Sequence, residues 1–392
     1  MEGRSVANPE VYEYDELFLT REQLRTLTDR LPAPFYLYDE AGIRSSIHRW
    51  QAAFSWNPGY RQVFPMGKLP FREMAALLRE EGCAVSCQDL GELRQAGQWG
   101  FTGEQVIYAP FWPTAEGMET AGAVGAVVSA DHPAAAALCL EYPVETVSLC
   151  FNPGGKFRAG QTVTVRADGE KRGMTRQQIL EWGPYLVRAG VKHLGLEVQF
   201  SVQTTEPAYY AAVAALLYEL AGELERLGAP VSFCNLGGGP GLGFLPGLPD
   251  ADPEAMAEAV RKVSTGQERL LRTEAYRTIS GPNAILVMPV LGVKRAHRTF
   301  VIVGADAAQF PRVLQAPHHH ISLLSSTAVQ GRSYCDVVGS GTGTKARFGE
   351  RRLLPPVQDH DFCILHDAGI DPPGTGCGCY LWHTDGTVTA LR

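Results

Sequence analysis

Three consecutive glycines follow directly on the apolar run Pro230-Val-Ser-Phe-Cys234, in the segment Asn235-Leu-Gly-Gly-Gly-Pro-Gly241. A short β-type run that ends at once in glycine reads as a strand entering a backbone-lined turn. Glycine has no Cβ, so its amide approaches a ligand closely and adopts positive φ. Several such amides turned one way, here at Gly237, Gly238 and Gly239, cradle a phosphate. A plain tight loop explains an isolated triplet equally well, so the reading depends on what else in the chain calls for a phosphate. Lys68, in Val63-Phe-Pro-Met-Gly-Lys-Leu-Pro70, ends an early and otherwise apolar strand-like run. Lysines are mostly exposed. Burial lowers a lysine's proton affinity and makes its amine a nucleophile for Schiff-base chemistry. Taken alone, a lysine snorkelling from a strand end explains Lys68 better.

Two other clusters carry less. In His318-His-His320, adjacent residues of a strand point to opposite faces, which argues against a shared metal. Cys377-Gly-Cys379 with His383 is spaced too tightly for the usual CxxC zinc pattern and reads as a loop thiol pair. No metal centre is expected.

The elements that must position these residues alternate. Phe35-Tyr-Leu-Tyr38 is strand-like and 39–54 helical; 61–67 is strand-like and 70–81 helical, stopping at Gly82. The runs 84–87, 106–108, 147–151, 194–200 and 231–235 continue the strands, with helical spacing at 90–97 and 208–227 and a further unit at 121–129. Repeated β-then-α units predict a parallel α/β architecture, most simply a (β/α)8 TIM barrel. After about Ser280 helical periodicity nearly vanishes, and short β runs at 284–293, 298–304, 319–324, 335–339, 362–366 and 387–391 predict an antiparallel β domain. The expected division is an N-terminal segment 1–33 packing with the β domain, a barrel 34–283 and a C-terminal β domain 284–392.

The chain of 392 residues is 45% hydrophobic, enough for two domains with sizeable cores. Its formal charge of -7 argues against a nucleic-acid surface, which needs a basic patch. No apolar run approaches transmembrane length, and Met1-Glu-Gly-Arg-Ser5 lacks a signal-peptide core, so no membrane association and a cytoplasmic location are expected. The nine scattered cysteines do not form a secreted disulfide framework.

Lysine and glycine turn together, in this order, resemble the fold-type III pyridoxal-phosphate enzymes: diaminopimelate, ornithine and arginine decarboxylases, with alanine racemase more distant. Pro34-Phe-Tyr-Leu-Tyr-Asp39 resembles the family's opening barrel strand, and Lys68 falls at its Schiff-base lysine. Gly91-Glu-Leu93 is similar to the Gly-Gly-Glu-Leu helix start, Phe151-Asn-Pro-Gly154 to Val-Asn-Pro-Gly, and Leu236-Gly-Gly-Gly239 to the phosphate-binding Leu-Gly-Gly-Gly. Leu291-Gly-Val293, His319-His-Ile321, Asp336-Val-Val-Gly339 and Asp367-Ala-Gly369 resemble segments of the β domain. The resemblance spans about Pro34 to Gly369 and implies pyridoxal 5'-phosphate as cofactor, a small amino-acid substrate, and a homodimer with the active site at its interface.

Departures are equally specific. Family His-x-His-Ile-Gly-Ser becomes Glu197-Val-Gln-Phe-Ser-Val202, putting Gln199 where the resemblance implies a histidine stacked on the pyridine ring. Family Glu-Pro-Gly-Arg, whose glutamate holds a proton on the ring nitrogen, aligns with Ser280-Gly-Pro-Asn283; Glu274 stands six residues upstream with no role assigned. Thr342 falls at the family's catalytic cysteine, and a hydroxyl is a poorer proton donor than a thiol. Asp371 falls at a tyrosine near the phosphate, where a carboxylate repels. Lys345 and Arg347 suggest a substrate with an anionic distal group. The expected activity is amino-acid decarboxylation through Lys68, on an unusual substrate in specialised biosynthesis. The alternatives are a family-derived binding or regulatory protein that no longer decarboxylates, or another outcome such as racemisation or elimination.

Overall fold

The computed structural model describes residues 17–160, 163–267, 269–314, 319–325, 331–342 and 346–392. The chain folds as two compact units. One comprises residues 43–242 and 249–279 with the terminal Arg392; the other, among the described residues, comprises 17–42, 243–248 and 280–391.

The first unit is a closed barrel of eight parallel strands. In chain order these are Arg61–Pro65, Ala84–Cys87, Val106–Tyr108, Val127–Ala130, Thr146–Cys150, His193–Glu197, Val231–Asn235 and Leu270–Thr273. The eighth pairs with the first, Arg272 opposite Arg61, and closes the ring. Helices follow the strands in turn, among them Arg72–Glu80, Leu90–Gln98, Ala115–Val124, Arg176–Arg188, Ala208–Arg226 and Pro253–Val263. Local chemistry starts them: the Asp89, Thr114 and Asp252 side chains accept first-turn amides, and Thr175 forms a reciprocal capping box with Gln178. Helix Ala208–Arg226 buries Tyr210, Val213, Ala214, Leu217 and Ala221, a three-and-four spacing that presents one apolar face.

The lumen is packed. Val63, Ala84, Ile107, Val127 and Phe233 form one buried cluster with Ala109, and Leu270 packs against it. Phe233 fits because the neighbouring strand carries Gly195; a Cβ there would lie 2.1 Å from the phenyl ring. Burying a phenylalanine stabilises by roughly 1.5–3 kcal/mol, so Gly195 matters for the space it leaves. A barrel filled in this way leaves the strand C-termini as the place for chemistry. Between the fifth strand and its helix runs an antiparallel hairpin, Lys156–Ala159 with Val163–Arg166, which the sequence pattern did not announce.

The second unit is a nine-stranded, mainly antiparallel sheet. One expectation is corrected here. Phe35–Asp39, expected to open the barrel, lies inside this sheet, antiparallel to Ala284–Arg295 and parallel to Gly378–Trp382. All five of its residues are buried. A strand covered on both faces has the same apolar run in either setting, so the pattern could not separate them. Arg347–Leu354 and Gly378–Trp382 are further strands of the sheet; the first is masked in sequence by its arginines and the second by the glycines before it. The N-terminal helix Arg21–Arg30 packs Leu24 and Leu27 with Phe35, Leu37, Ile285, Val287 and Trp382. Among the described residues no helix is long and apolar enough to cross a membrane.

Candidate active site

The C-terminal ends of the barrel strands bring together residues from the first, sixth, seventh and eighth strands. Lys68 closes a single 3-10 turn, Met66–Lys68, beyond the first strand rather than within it, and is half-buried. Its ammonium lies 5.6 Å from the centre of the Tyr276 ring, which also packs edge-on against Phe64. Tyr276 therefore ties the lysine to the segment that leaves the eighth strand.

The glycine turn leaves the seventh strand. Gly237 (φ 67°) and Gly239 (φ 128°) occupy the half of backbone space open to glycine. A Cβ on Gly237 would lie 2.3 Å from the Val198 carbonyl oxygen, and one on Gly239 would lie 2.3 Å from the Tyr209 ring. The turn is pinned by Asn235 Oδ1, which accepts the Gly237 amide at 3.0 Å, and by Thr204, whose amide donates to the Gly239 oxygen at 2.9 Å. Among the described residues, the Gly238 and Gly239 amides donate to no protein acceptor. The buried Tyr209 hydroxyl beside Gly239 has no protein partner either. Two donor amides and an orphaned hydroxyl around a space that a side chain would fill are what a phosphate group requires. Arg277, whose guanidinium donates to the Val202 oxygen at 3.1 Å, adds positive charge felt at Tyr209.

Glu274 stands one residue beyond the eighth strand, buried at 8% exposure. Its amide donates to the Gly237 oxygen at 2.8 Å. Its Oε1 accepts from Asn235 Nδ2 at 2.9 Å and from Gln199 Nε2 at 3.2 Å. Burial raises its proton affinity, and the Asn235 and Gln199 donors oppose that. Gln199 is thus an amide donor to a carboxylate, a task for which its residue type suits. Glu197, at the end of the sixth strand, is also buried and accepts from the Ser129 hydroxyl at 2.6 Å.

The remaining predicted residues lie in the sheet unit. Ser280 is fully buried, and its hydroxyl donates to the Gly369 carbonyl at 2.6 Å. Asn283 accepts the Asp39 amide through its backbone oxygen, and its side chain lies over Gly42. Asp371 is ion-paired with Arg312 at 3.2 Å, which offsets the charge that seemed repulsive. Thr342 is exposed, in a bend after strand Ser333–Gly339. Arg347 is held by Asp336 at 3.0 Å, and Lys345 lies outside the described residues. His318 also lies outside them; His319 bonds the His366 carbonyl through Nδ1, and His366 bonds Ser322. Cys377 and Cys379 are half-buried free thiols, and the Cys377 thiol donates to the Gly374 carbonyl at 3.8 Å. Among the described residues no group of three or more His, Cys, Asp or Glu is placed to hold a metal.

Sequence reasoning noticed Glu274 but passed over it. The signal was Glu274-Ala-Tyr-Arg277, which keeps the Glu-x-x-Arg spacing of Glu-Pro-Gly-Arg immediately after a strand. That Glu-x-x-Arg run lies six residues before Ser280-Gly-Pro-Asn283, the segment with the matching Gly-Pro pair. Tyr209, Asn235 and Arg277 carried no separate mark, because a tyrosine, an asparagine and an arginine are common in any helix start or strand end.

Comparison with known proteins follows the same lines. Residues 40–279 match the model of the pyridoxal-dependent decarboxylases, pyridoxal binding domain. The chain is 26% identical over 358 residues to protein TabA of Pseudomonas amygdali pv. tabaci, covering 88% of this chain and 83% of that protein. It is 24% identical over 355 residues to diaminopimelate decarboxylase of Methanothermobacter thermautotrophicus, again covering 88% and 83%. The solved structure of diaminopimelate decarboxylase from M. jannaschii in co-complex with L-lysine has the same fold. It superposes with a TM-score of 0.86 at 16% identity, covering 94% of this chain and 91% of that one.

Proposed function

Because the chain belongs to the pyridoxal-dependent decarboxylase family, we propose that it removes the α-carboxylate of an amino acid as carbon dioxide. Its cofactor is pyridoxal 5'-phosphate. When bound, that cofactor supplies a conjugated ring able to accept the electron pair left by the departing carboxylate.

The residues divide the work by chemistry. Lys68 offers the amine for the cofactor's aldehyde carbon, on a turn held beside Tyr276. The Gly238 and Gly239 amides, the Tyr209 hydroxyl and the Arg277 guanidinium are proposed to hold the phosphate. Glu274, rather than Ser280, is proposed to keep a proton on the ring nitrogen. Asn235 and Gln199 orient it for that and oppose the rise in proton affinity that burial causes. Ser280 cannot take the role readily, because its hydroxyl is already committed to Gly369. The single observation that carries this reading is the buried Glu274 carboxylate, tied through its own amide to the glycine turn. With it in place the chain has the charged group that an electron-sink reaction needs.

Gln199 and Thr342 replace the histidine and cysteine implied by the resemblance, which favours an amino acid other than diaminopimelate itself. Thr342 also favours a second reading, a cofactor-binding relative that releases no carbon dioxide. Purified protein supplied with pyridoxal phosphate should absorb at about 410–430 nm, and Lys68→Ala should abolish that band. Release of carbon dioxide from an amino-acid panel, beginning with diamino acids, then separates the two readings. A protein that stays colourless with added cofactor overturns both. We also propose a homodimer, with Thr342 contributed across its interface; a strictly monomeric mass by light scattering would remove Thr342 from the site.

A further inference from the structure

Nothing in the proposed reaction uses Glu197, yet it is a second buried carboxylate beneath the same site. It ends the sixth barrel strand at 1% exposure, in register with Cys150 on one side and Asn235 on the other. Asn235 in turn donates to Glu274. The seventh strand, ending in Asn235, therefore stands between two buried carboxylates at the ends of the strands that flank it. Two like charges in a low-dielectric interior do not both ionise at neutral pH without strong compensation.

Their hydrogen-bond partners decide which one keeps a proton. Glu274 Oε1 is met by two amide nitrogens, which only donate and so favour the anion. Glu197 Oε1 is met by the Ser129 hydroxyl at 2.6 Å. A hydroxyl rotates, and serves an anion as donor or a carboxylic acid as acceptor. The Ser129 contact thus satisfies Glu197 in either state, whereas the two contacts to Glu274 Oε1 favour its anion.

We infer that Glu197 is a positioning residue that carries the pair's proton, so that Glu274 keeps the pair's single negative charge. The inference rests on the role proposed above for Glu274. The groups facing Glu197 come from several elements: Glu274, Arg172, Arg272 and the Cys150 thiol, with the Ser129 and Ser148 hydroxyls. Burial above all, and then the charge on Glu274, push Glu197 up to about 7 against the pull of Ser129. Above neutrality Glu197 loses its proton and a second negative charge appears beside Glu274.

The test is the pH dependence of the bound pyridoxal chromophore, with no substrate present. In the wild-type holoenzyme the absorption spectrum should titrate with a midpoint near 7, as Glu197 does. Glu197→Gln should remove that transition, because its amide is neutral throughout. Ser129→Ala should retain the transition and move it upward by about one unit. Proton uptake by the apoprotein gives a second readout. Between about pH 8.5 and about pH 5.5, wild type should bind roughly one proton more than Glu197→Gln. Superimposable spectra and equal proton uptake for wild type and Glu197→Gln would overturn the inference. Glu274→Gln separates this failure from failure of the site itself. If that variant leaves the chromophore's spectrum unchanged, the ring-nitrogen assignment is wrong. If it alters the spectrum while Glu197→Gln does nothing, only the present inference falls.

Discussion

Asn235 donates to Glu274 Oε1 at 2.9 Å while its own side-chain oxygen accepts the Gly237 amide at 3.0 Å. One side chain thus couples the carboxylate at the end of the eighth strand to the glycine turn at the end of the seventh. The coupling is closed by the Glu274 amide, which donates back to the Gly237 oxygen at 2.8 Å. Carboxylate and cradle are therefore one hydrogen-bonded unit, and disturbing either should be felt at both.

Asn235→Ala should weaken that unit from both sides. It leaves the Gly237 amide without its acceptor and Glu274 with one fewer donor, both in buried surroundings. The expected cost is about 2–4 kcal/mol of unfolding free energy, read from urea denaturation. Affinity for pyridoxal phosphate should fall as well. Unchanged stability would mean that the two bonds are not held in solution.

Gly237→Ala tests the cradle. The new Cβ would meet the Val198 carbonyl oxygen at 2.3 Å, with φ at 67°. A backbone atom does not swing aside as a side chain does, so the strain should be on the order of 1–3 kcal/mol. Cofactor binding, followed by absorbance titration, should weaken at least tenfold. Gly238→Ala is the milder control, since its Cβ would find only an ordinary contact of 3.6 Å.

Gly195→Ala tests the lumen rather than the site. The added methyl would strike the Phe233 ring, and overpacking of this kind costs about 1–3 kcal/mol. A second change, Phe233→Leu, frees that space, so the double variant should be more stable than the two single costs predict. Thermal unfolding of all four proteins gives the coupling directly. Additive effects would mean that the two residues do not meet.

Acid should destabilise the sheet unit through its buried histidines. Burial lowers His319 to about 4 and His366 to about 3, against 6.5 for an exposed imidazole. The folded state resists their protonation and the unfolded chain does not. Their contribution is therefore complete above about pH 6.5 and is lost as pH falls toward the folded values. For His319 alone the loss is on the order of 3 kcal/mol. His319→Asn, whose amide can replace the Nδ1 donor to the His366 carbonyl, should flatten that part of the profile. Equal slopes between about pH 6 and about pH 4 in urea titrations of variant and wild type would refute the assignment.

Much of this protein was legible before folding was considered, where the cause is local. Gly237-Gly-Gly239 announces a turn because positive φ is a property of the residue itself. The strand-and-helix alternation and the β texture after Ser280 are periodicities, and they predicted the barrel and the sheet. Only the tertiary structure decided questions of neighbourhood. Phe35–Asp39 has the apolar run of a barrel strand, and its pairing partners alone place it in the sheet. Glu274 and Ser280 are six residues apart and both follow the last barrel strand, yet one carboxylate meets Asn235 and Gln199 while the other residue's hydroxyl turns to Gly369. Glu197 carried no reading of its own until closure of the ring set it beside Asn235. Hydrogen bonds and like-charge repulsion depend on distances between strand ends far apart in the chain. Those distances exist only once the barrel has closed.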